Sequence, residues 1–287
     1  MNICAAECSI YSIQTLLAME VIVNADDLGY SVRRDTGILC AFRDGTISSA
    51  SLIVNGATSD TAAKSAKDAR LPVGLHLNLT EGRPLSDAPH IVDERGYLLY
   101  KMNFWYLKKT PQVLADIARE TRAQLEKFKD LMGDYPTRVD GHQHVHVARQ
   151  VPETIAPVLR ECGVKCVRIP DQDPDHMDWL DAQTRRRYES RYVPSVTARL
   201  VYGRHGLKSP MSFVGLGISG GEMTMERIHT CMRKCIGTTE FMVHPGFLTP
   251  DSESKDAFDS DPGRLREYHV LKSVACHYTL VDWSTIK

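Results

Sequence analysis

Short apolar runs alternate with segments of helical periodicity along most of the chain. The runs at residues 21–25, 48–54 and 73–79 predict buried strands. Residues 32–43 and 58–69 space their apolar side chains three and four positions apart, which predicts helices between those strands. Because strands and helices alternate, the strands are expected to run parallel, as they do in α/β proteins.

Two irregular stretches interrupt this alternation. Residues 81–109 contain several glycines and prolines together with aromatic side chains expected to be exposed, such as Phe104 and Trp105, and predict an insertion at the rim of the fold. Residues 171–212 are polar and rich in arginine, and because they are too long for a plain connector we interpret them as a lid or a dimer arm. Elsewhere the pattern predicts helices at 112–131, 152–162, 224–236 and 262–275 and strands at 138–146, 165–169, 240–243 and 278–281.

The size and charge of the chain narrow the class of protein. With 287 residues, of which 43% are hydrophobic, the chain is long enough for one α/β barrel or for two ordinary domains. Roughly seven strand–helix units follow from the pattern, and no linker divides them. A formal net charge of -1 and the absence of a lysine or arginine block argue against a nucleic-acid partner.

The sequence offers no membrane or export signal. No stretch approaches the roughly 18 consecutive apolar residues that span a bilayer, so no membrane association is expected. Residues 1–18 lack the basic segment of a secretory signal, and a cytoplasmic location is therefore expected. A structural zinc site and ordinary reduced thiols both remain open for the three cysteine pairs spaced four apart, which are Cys4 and Cys8, Cys162 and Cys166, and Cys231 and Cys235.

Two adjacent carboxylates, those of Asp26 and Asp27, end the first predicted strand and are soon followed by Gly29. The carboxyl ends of strands are where α/β enzymes place their catalytic groups. An aspartate after a strand also commonly caps the next helix. Two carboxylates side by side repel each other, however, and this repulsion favours a nearby cation.

Histidines lie in or directly after three further predicted strands. His76 lies inside an apolar strand, where a core histidine and a metal ligand both fit the pattern. His142, His144 and His146 alternate, so an extended segment would place all three on one face, which favours ligands over core residues. His244 precedes Pro-Gly, and a turn histidine is the ordinary alternative there. Carboxylates and imidazoles on one rim are suited to a divalent metal.

Two further charged residues are candidates for supporting roles. Asp140 is placed either to hydrogen-bond a ligand histidine or to face the substrate. Arg168, at another strand end, is a candidate to orient a carboxylate on the rim. The chain contains no G-x-G-x-x-G, P-loop, G-x-S-x-G or H-E-x-x-H motif, so common nucleotide sites and serine nucleophiles lack support.

Four segments, taken in order, resemble the signature blocks of the YdjC-like carbohydrate deacetylases. They are I-V-N-A-D-D-L-G at 22–29, G-L-H-L-N-L-T at 74–80, D-G-H-Q-H-V-H at 140–146 and V-H-P-G at 243–246. Each block alone is modest evidence, whereas four blocks in the same order and approximate spacing are specific. The resemblance covers nearly the whole chain from Met19 onward.

The resemblance implies a fold and an activity. The fold is an α/β, distorted TIM-like β/α barrel that forms a single domain with rim insertions at residues 19–287, after an N-terminal extension at residues 1–18. The activity is that of a carbohydrate N-deacetylase, a hydrolase that removes the acetyl group from N-acetylated sugars such as chito-oligosaccharides. The expected partner is that N-acetylated oligosaccharide, and a homodimer is compatible with this expectation.

The resemblance also implies the roles of five residues. Asp27, His76 and His142 would hold a divalent metal, with magnesium the usual ion and zinc an alternative. By analogy with the related NodB-type polysaccharide deacetylases, Asp26 is the general base and His244 the general acid. In such a mechanism the metal activates a water and polarises the acetyl carbonyl, Asp26 takes the proton, and His244 protonates the departing amine.

Two other functions remain open at this stage. Two histidines and one carboxylate also form the metal site of non-haem iron oxygenases, although the paired aspartates count against that class. A metal-dependent sugar-binding protein without turnover would carry the same ligands. Acetate release without oxygen consumption separates the deacetylase from both alternatives.

Overall fold

The computed structural model describes residues 19–250 and 257–286, so the predicted extension at residues 1–18 lies outside the described part. Within it, strands and helices alternate as the sequence pattern predicts, and parallel strands follow. The elements are, in chain order, β1 (Glu20–Leu28), α1 (Val32–Arg43), β2 (Ser49–Leu52), α2 (Ser59–Ala69), β3 (Val73–Leu77), α3 (Lys101–Tyr106), α4 (Pro111–Met132), β4 (Arg138–Gly141), α5 (Val151–Glu161), β5 (Cys166–Val167), α6 (Ala182–Arg204), β6 (Ser212–Val214), α7 (Met225–Met232), β7 (Thr239–Val243), α8 (Gly263–His277) and β8 (Thr279–Leu280).

The strands form a curled parallel sheet that makes up an α/β, distorted TIM-like barrel. The strand order is β5-β4-β3-β2-β1-β7-β6, and β8 pairs with the start of β1. The edges at β5 and β6 approach each other through Lys208, just before β6: the Val167 amide donates to the Lys208 carbonyl at 2.8 Å, and the Lys208 amide donates to the Lys165 carbonyl at 2.9 Å. The expected barrel is confirmed. It is distorted where β5 and β6 meet, because these edges are joined through Lys208 and not by a full pair of strands.

The two faces of β1 show how the barrel is filled. Val21, Val23 and Ala25 belong to the main apolar cluster, in which strands and helices pack together. The intervening Asn24 is also fully buried, but its side-chain amide donates to Ser51 Oγ at 2.8 Å and to Asp26 Oδ1 at 2.8 Å. Polar side chains therefore fill the interior beneath the carboxyl ends of the strands. Because these groups are buried away from solvent, each needs a hydrogen-bond partner within the protein.

The segment predicted as a strand at 138–146 has a different shape. β4 ends at Gly141, and a 3-10 helix follows at His142–Val147, with positive φ values of 54° at Gln143 and 61° at His144. The prediction that the three alternating histidines share one face of an extended segment is therefore wrong. The chain turns back tightly at this point: a Cβ atom on Gly141 would lie 2.4 Å from His146 Nδ1.

The two rim insertions are more ordered than the sequence pattern predicts. Phe104 was expected to be exposed, but it is completely buried against the main core, while the neighbouring Trp105 is half-buried. Residues 171–212 contain the 23-residue helix α6 and end at the first residue of the short strand β6, and the pattern predicts neither element. Tyr202, near the end of α6, fastens the helix to the rim by donating a hydrogen bond to the His146 carbonyl at 2.6 Å.

Two smaller expectations concern membranes and cysteines. Among the described residues, no helix combines the length and the apolar character needed to cross a bilayer. The cysteine pairs 162/166 and 231/235 are free thiols, and neither belongs to a group of potential metal ligands found in the described part of the chain. The pair 4/8 lies outside the described residues.

Candidate metal centre and active site

The five predicted site residues meet in one cavity of about 470 Å³ at the carboxyl ends of the strands. Asp26 and Asp27 come from β1, His76 from β3, His142 from the turn after β4, and His244 from the residue after β7. Among the other alternating histidines, His144 also lines this cavity. His146 does not, because it is buried in the core and its Nε2 atom lies 3.0 Å from the Arg168 carbonyl.

A local backbone irregularity lets two adjacent aspartates face the same cavity. Successive side chains of a regular strand point to opposite faces. The pairing of β1 with β2 shifts register between Ala25 and Leu28, and Asp27 adopts a left-handed conformation with φ of 68°. Aspartate tolerates this region better than most residues, at a cost on the order of 1 kcal/mol. The bulge therefore turns the second carboxylate back toward the first.

The side chains of Asp27, His76 and His142 converge on one point. Asp27 Oδ1 lies 2.9 Å from His142 Nδ1 and 3.3 Å from His76 Nε2. One ligand atom from each residue lies within 4.8 Å of the others, and all three residues are buried. Two imidazole nitrogens and a carboxylate oxygen in such an arrangement match the three protein ligands of a catalytic divalent-metal site.

The electrostatics of this group also favour a cation. Burial opposes the charged form of His76, but Asp140 and Asp26 outweigh it and raise the pKa of His76 to about 10. Burial likewise opposes ionisation of Asp27, yet His142 and then Arg34 hold the pKa of Asp27 well below its ordinary value. The carboxylates around these imidazoles therefore favour positive charge at this point, and a bound metal ion would supply it.

A second acidic group nearby, which comprises Asp26, His76 and Asp140, is less suited to a metal. Arg168 donates to both oxygens of Asp26, at 2.5 and 2.6 Å. Asp140 Oδ2 accepts from Ser51 Oγ at 2.5 Å and from Arg138 at 3.1 Å. In the described part of the chain, arginine or serine donors reach both oxygens of Asp26 and Oδ2 of Asp140, whereas Asp27 Oδ1 faces the imidazoles of His76 and His142 alone.

Asp140 supports His76 from the side opposite to the cavity. Its Oδ1 atom lies 2.5 Å from His76 Nδ1, which makes Nδ1 the protonated nitrogen and leaves Nε2 directed at Asp27. Metal-bound histidines typically donate their second ring N–H to a carboxylate in this way. Of the two roles that the sequence left open for Asp140, the structure shows the hydrogen bond to the histidine.

Asp26 is held by a buried arginine, as the sequence predicted. Arg168 is fully buried, and burial opposes its charge, but Asp140, Asp26 and Glu240 together raise the pKa of Arg168 well above its ordinary value. Glu240, which the sequence analysis missed, accepts from Arg168 Nε at 2.8 Å, and burial raises the pKa of Glu240 to about 7. Its position within an apolar strand gave no sign of this role.

His244 faces the cavity and has an unpartnered ring nitrogen. Its Nδ1 atom is buried and has no hydrogen-bond partner in the described part of the chain. Its backbone amide donates to Glu267 at 2.5 Å, and its ring packs edge-on against Phe258 at 5.2 Å between centroids. Burial lowers the pKa of His244, although Glu267 and Asp27 act in the opposite direction. The imidazole is thus available for proton transfer.

Arg34 is a further site residue that the sequence analysis missed. Its guanidinium donates to Asp27 Oδ2 at 2.9 Å and to Asp259 Oδ1 at 3.1 Å, and it is buried. Arginines in the first turn of a helix are ordinarily solvated. The chain returns after β7 and brings Asp259 next to α1. Arg34 then bridges Asp259 and Asp27, which the sequence alone does not indicate.

Comparison with known proteins adds the family. The sequence model described as YdjC-like protein matches residues 20–282, which include all five predicted site residues. The chain belongs to the YdjC-like protein family. This YdjC-like chain is 37% identical to a mouse protein (Mus musculus) named carbohydrate deacetylase, over 88% of each chain. It is 31% identical to a chitooligosaccharide deacetylase from Klebsiella pneumoniae (strain 342), over 91% of this chain and 94% of that one.

A solved structure shares the fold of this YdjC-like chain. A proposed cellobiose-phosphate cleavage protein from Enterococcus faecalis V583 superposes with a TM-score of 0.70 and covers 93% of this chain and 98% of that one. At 20% sequence identity the similarity shows the fold alone. It confirms that the distorted barrel is an arrangement found in other proteins.

Proposed function

We propose that this chain is a divalent-metal-dependent hydrolase that removes the acetyl group from N-acetylated sugars such as chito-oligosaccharides. The observation that carries the proposal is the single cavity in which Asp27, His76 and His142 converge beside Asp26 and His244. The names of the two relatives, carbohydrate deacetylase and chitooligosaccharide deacetylase, support the substrate class.

Asp27, His76 and His142 would hold the metal. A bound divalent ion lowers the pKa of water and polarises a carbonyl group. The family resemblance favours magnesium, while two imidazole ligands also suit zinc. The hydrogen bond from His76 to Asp140 fixes the ring so that Nε2, once it has released its proton, would act as the ligand.

Asp26 would accept the proton of the attacking water. Each carboxylate oxygen can accept two hydrogen bonds. Asp26 Oδ1 already receives two, from Arg168 and Asn24, whereas Oδ2 receives one, from Arg168. Oδ2 therefore has a lone pair left and is the atom that would take the proton. The bidentate contact with Arg168 keeps this oxygen from rotating away.

His244 would complete the reaction as the general acid. Water adds to the acetyl carbon, the C–N bond breaks, and the electron pair of that bond leaves with the sugar nitrogen, which must then gain a proton. His244 lies in the same cavity, and its imidazolium form would supply that proton. The products are acetate and the free amino sugar.

The proposal is tested by incubating the protein with di-N-acetylchitobiose and measuring acetate and dissolved oxygen together, with Mg²⁺, Zn²⁺ or Fe²⁺ added in separate reactions. Release of one acetate for each amine formed, without oxygen uptake, is the expected result. Oxygen consumption would indicate an iron oxygenase instead. Saturable sugar binding without acetate would indicate a binding protein.

A further inference from the structure

The two imidazoles of the proposed metal centre each have a carboxylate on the side away from Asp27. For His76 this carboxylate is that of Asp140, which lies 2.5 Å from Nδ1. For His142 it is that of Glu81, whose Oε1 atom lies 3.3 Å from Nε2. In both rings the other nitrogen is the one that faces Asp27.

Glu81 is held in place by its own neighbours. It follows β3 at the start of the first rim insertion, where the side chain of Asn78 accepts from the Glu81 amide at 3.0 Å and donates to the Glu81 carbonyl at 2.8 Å. Gln143, the residue after His142, donates from its side chain to Glu81 Oε1 at 2.6 Å. Asn78 thus fixes the backbone of Glu81, and Gln143 holds its carboxylate from a separate segment of the chain.

Glu81 supplies a carboxylate within ion-pair distance of His142 Nε2. This Nε2 atom is buried and makes no aligned hydrogen bond in the described part of the chain, so Glu81 Oε1 at 3.3 Å is the acceptor available to it. A buried ring N–H without an acceptor is costly, on the order of 1–3 kcal/mol. Glu81 would remove that cost by accepting from Nε2 when the two groups align, while Nδ1 stays directed at Asp27.

We propose that Glu81 is a positioning residue, which orients His142 toward the metal as Asp140 orients His76. The inference rests on the proposed metal centre and extends it to a residue outside the ligand set. Its side chain is 24% exposed and also lines the cavity, so a contact with substrate is the competing role. A positioning role predicts that loss of the Glu81 carboxylate weakens metal binding, whereas a substrate contact predicts a higher KM with unchanged metal affinity.

The test compares Glu81→Gln with Glu94→Gln, a matched control at an exposed glutamate in the same insertion. The affinity of the metal-free protein for Zn²⁺ and for Mg²⁺ is measured by competition with a chelating dye, and thermal unfolding is followed without metal. Glu81→Gln is expected to weaken metal binding about 10- to 100-fold, the usual effect of losing such a partner. Melting of the metal-free protein should change little, because the amide oxygen of Gln can still accept from His142 Nε2. Glu94→Gln is expected to match the wild type in both measurements.

A shorter carboxylate provides a second variant. Glu81→Asp keeps the negative charge and is expected to bind metal more tightly than Glu81→Gln. Wild-type metal affinity in Glu81→Gln, with only KM for the sugar raised, would overturn the inference and assign Glu81 to substrate binding.

The inference and the proposed function can fail separately. Weaker metal binding in Glu81→Gln, together with a wild type that binds metal but releases no acetate, would sustain the positioning role and refute deacetylation. A wild type that binds neither ion would overturn both.

Discussion

At the scale of single residues, Asp26 and Asp27 show how different surroundings give identical side chains different roles. Both are buried and adjacent in sequence. Asp26 receives two hydrogen bonds from the guanidinium of Arg168, whereas Asp27 presents one oxygen to two imidazoles. The first is therefore suited to hold a position while it accepts a proton, and the second to bind a cation.

The proposed role of Asp26 makes a direct prediction. Asp26→Asn should keep the fold and most of the bound metal, because Asn is nearly isosteric, while kcat falls roughly 10²–10⁴-fold, the range for a lost general base. Metal content and acetate release are the measurements, with the exposed Asp68→Asn as control. Turnover near that of the wild type in Asp26→Asn would show that another group takes the proton.

The lowered pKa of His244 predicts the alkaline side of the pH profile. Burial lowers the pKa of His244 from its ordinary value of 6.5. The imidazolium that serves as general acid therefore predominates only at pH values below this lowered pKa. We expect kcat/KM to fall as pH rises through that lowered value, which places this limb below pH 6.5. His244→Ala should remove the limb and slow amide cleavage far more than cleavage of an activated ester, whose leaving group needs no proton.

The control for His244 is the bound metal. Metal content should be the same in His244→Ala and the wild type, because His244 is not among the three converging ligands. Equal losses on the amide and the ester, or loss of the metal, would remove His244 from the acid role.

The site residues differ in how far the sequence predicts them. Asp140 and Arg168 stand at strand ends, so their support of a rim ligand follows from the position of their strands. Arg34, Glu81 and Glu240 do not carry such a signal. Each looks like an ordinary charged residue of a helix, loop or strand, and only the folded chain brings it to a partner.

At the scale of elements, helices are predicted better than the ends of strands. The helix predicted at 32–43 has those bounds in the structure, with Ser31 as its N-cap. The strand predicted at 138–146 stops at Gly141 instead. Alternation of histidines imitates a strand, and local periodicity carries no information about a chain that must turn over the barrel rim after four residues.

The first rim insertion also shows the limit of local patterns. Its glycines and prolines predict a rim insertion with exposed aromatics, yet Phe104 is fully buried while Tyr106, two residues later, is 77% exposed. Both residues lie on the short helix α3, which packs Phe104 into the core and leaves Tyr106 facing solvent. The insertion is therefore part of the packed domain.

This packing predicts a difference in stability between two substitutions in one helix. Phe104→Ala should lower the free energy of unfolding by about 3–5 kcal/mol, the usual cost of a large buried aromatic. Tyr106→Ala should change it by no more than about 0.5 kcal/mol, as exposed positions do. Denaturant unfolding followed by circular dichroism measures both. Equal, small losses would show that the insertion is not coupled to the core.

At the scale of the whole molecule, the barrel brings together residues that are far apart in sequence. The parallel order of strands can be anticipated from the alternation of elements, and with it the gathering of strand ends on one rim. The closure between β5 and Lys208 cannot be anticipated from the sequence, because a single bridging residue leaves no periodic signal. The same holds for β6, which has three residues.

The most direct test of the account combines the metal, its ligands and the reaction. The chelator-treated protein is assayed for acetate release from di-N-acetylchitobiose before and after addition of Mg²⁺ or Zn²⁺, alongside Asp27→Ala. We expect no release from the metal-free protein, recovery on addition of one of these ions, and no recovery in Asp27→Ala. Full activity in the metal-free protein, or in Asp27→Ala, would contradict the account.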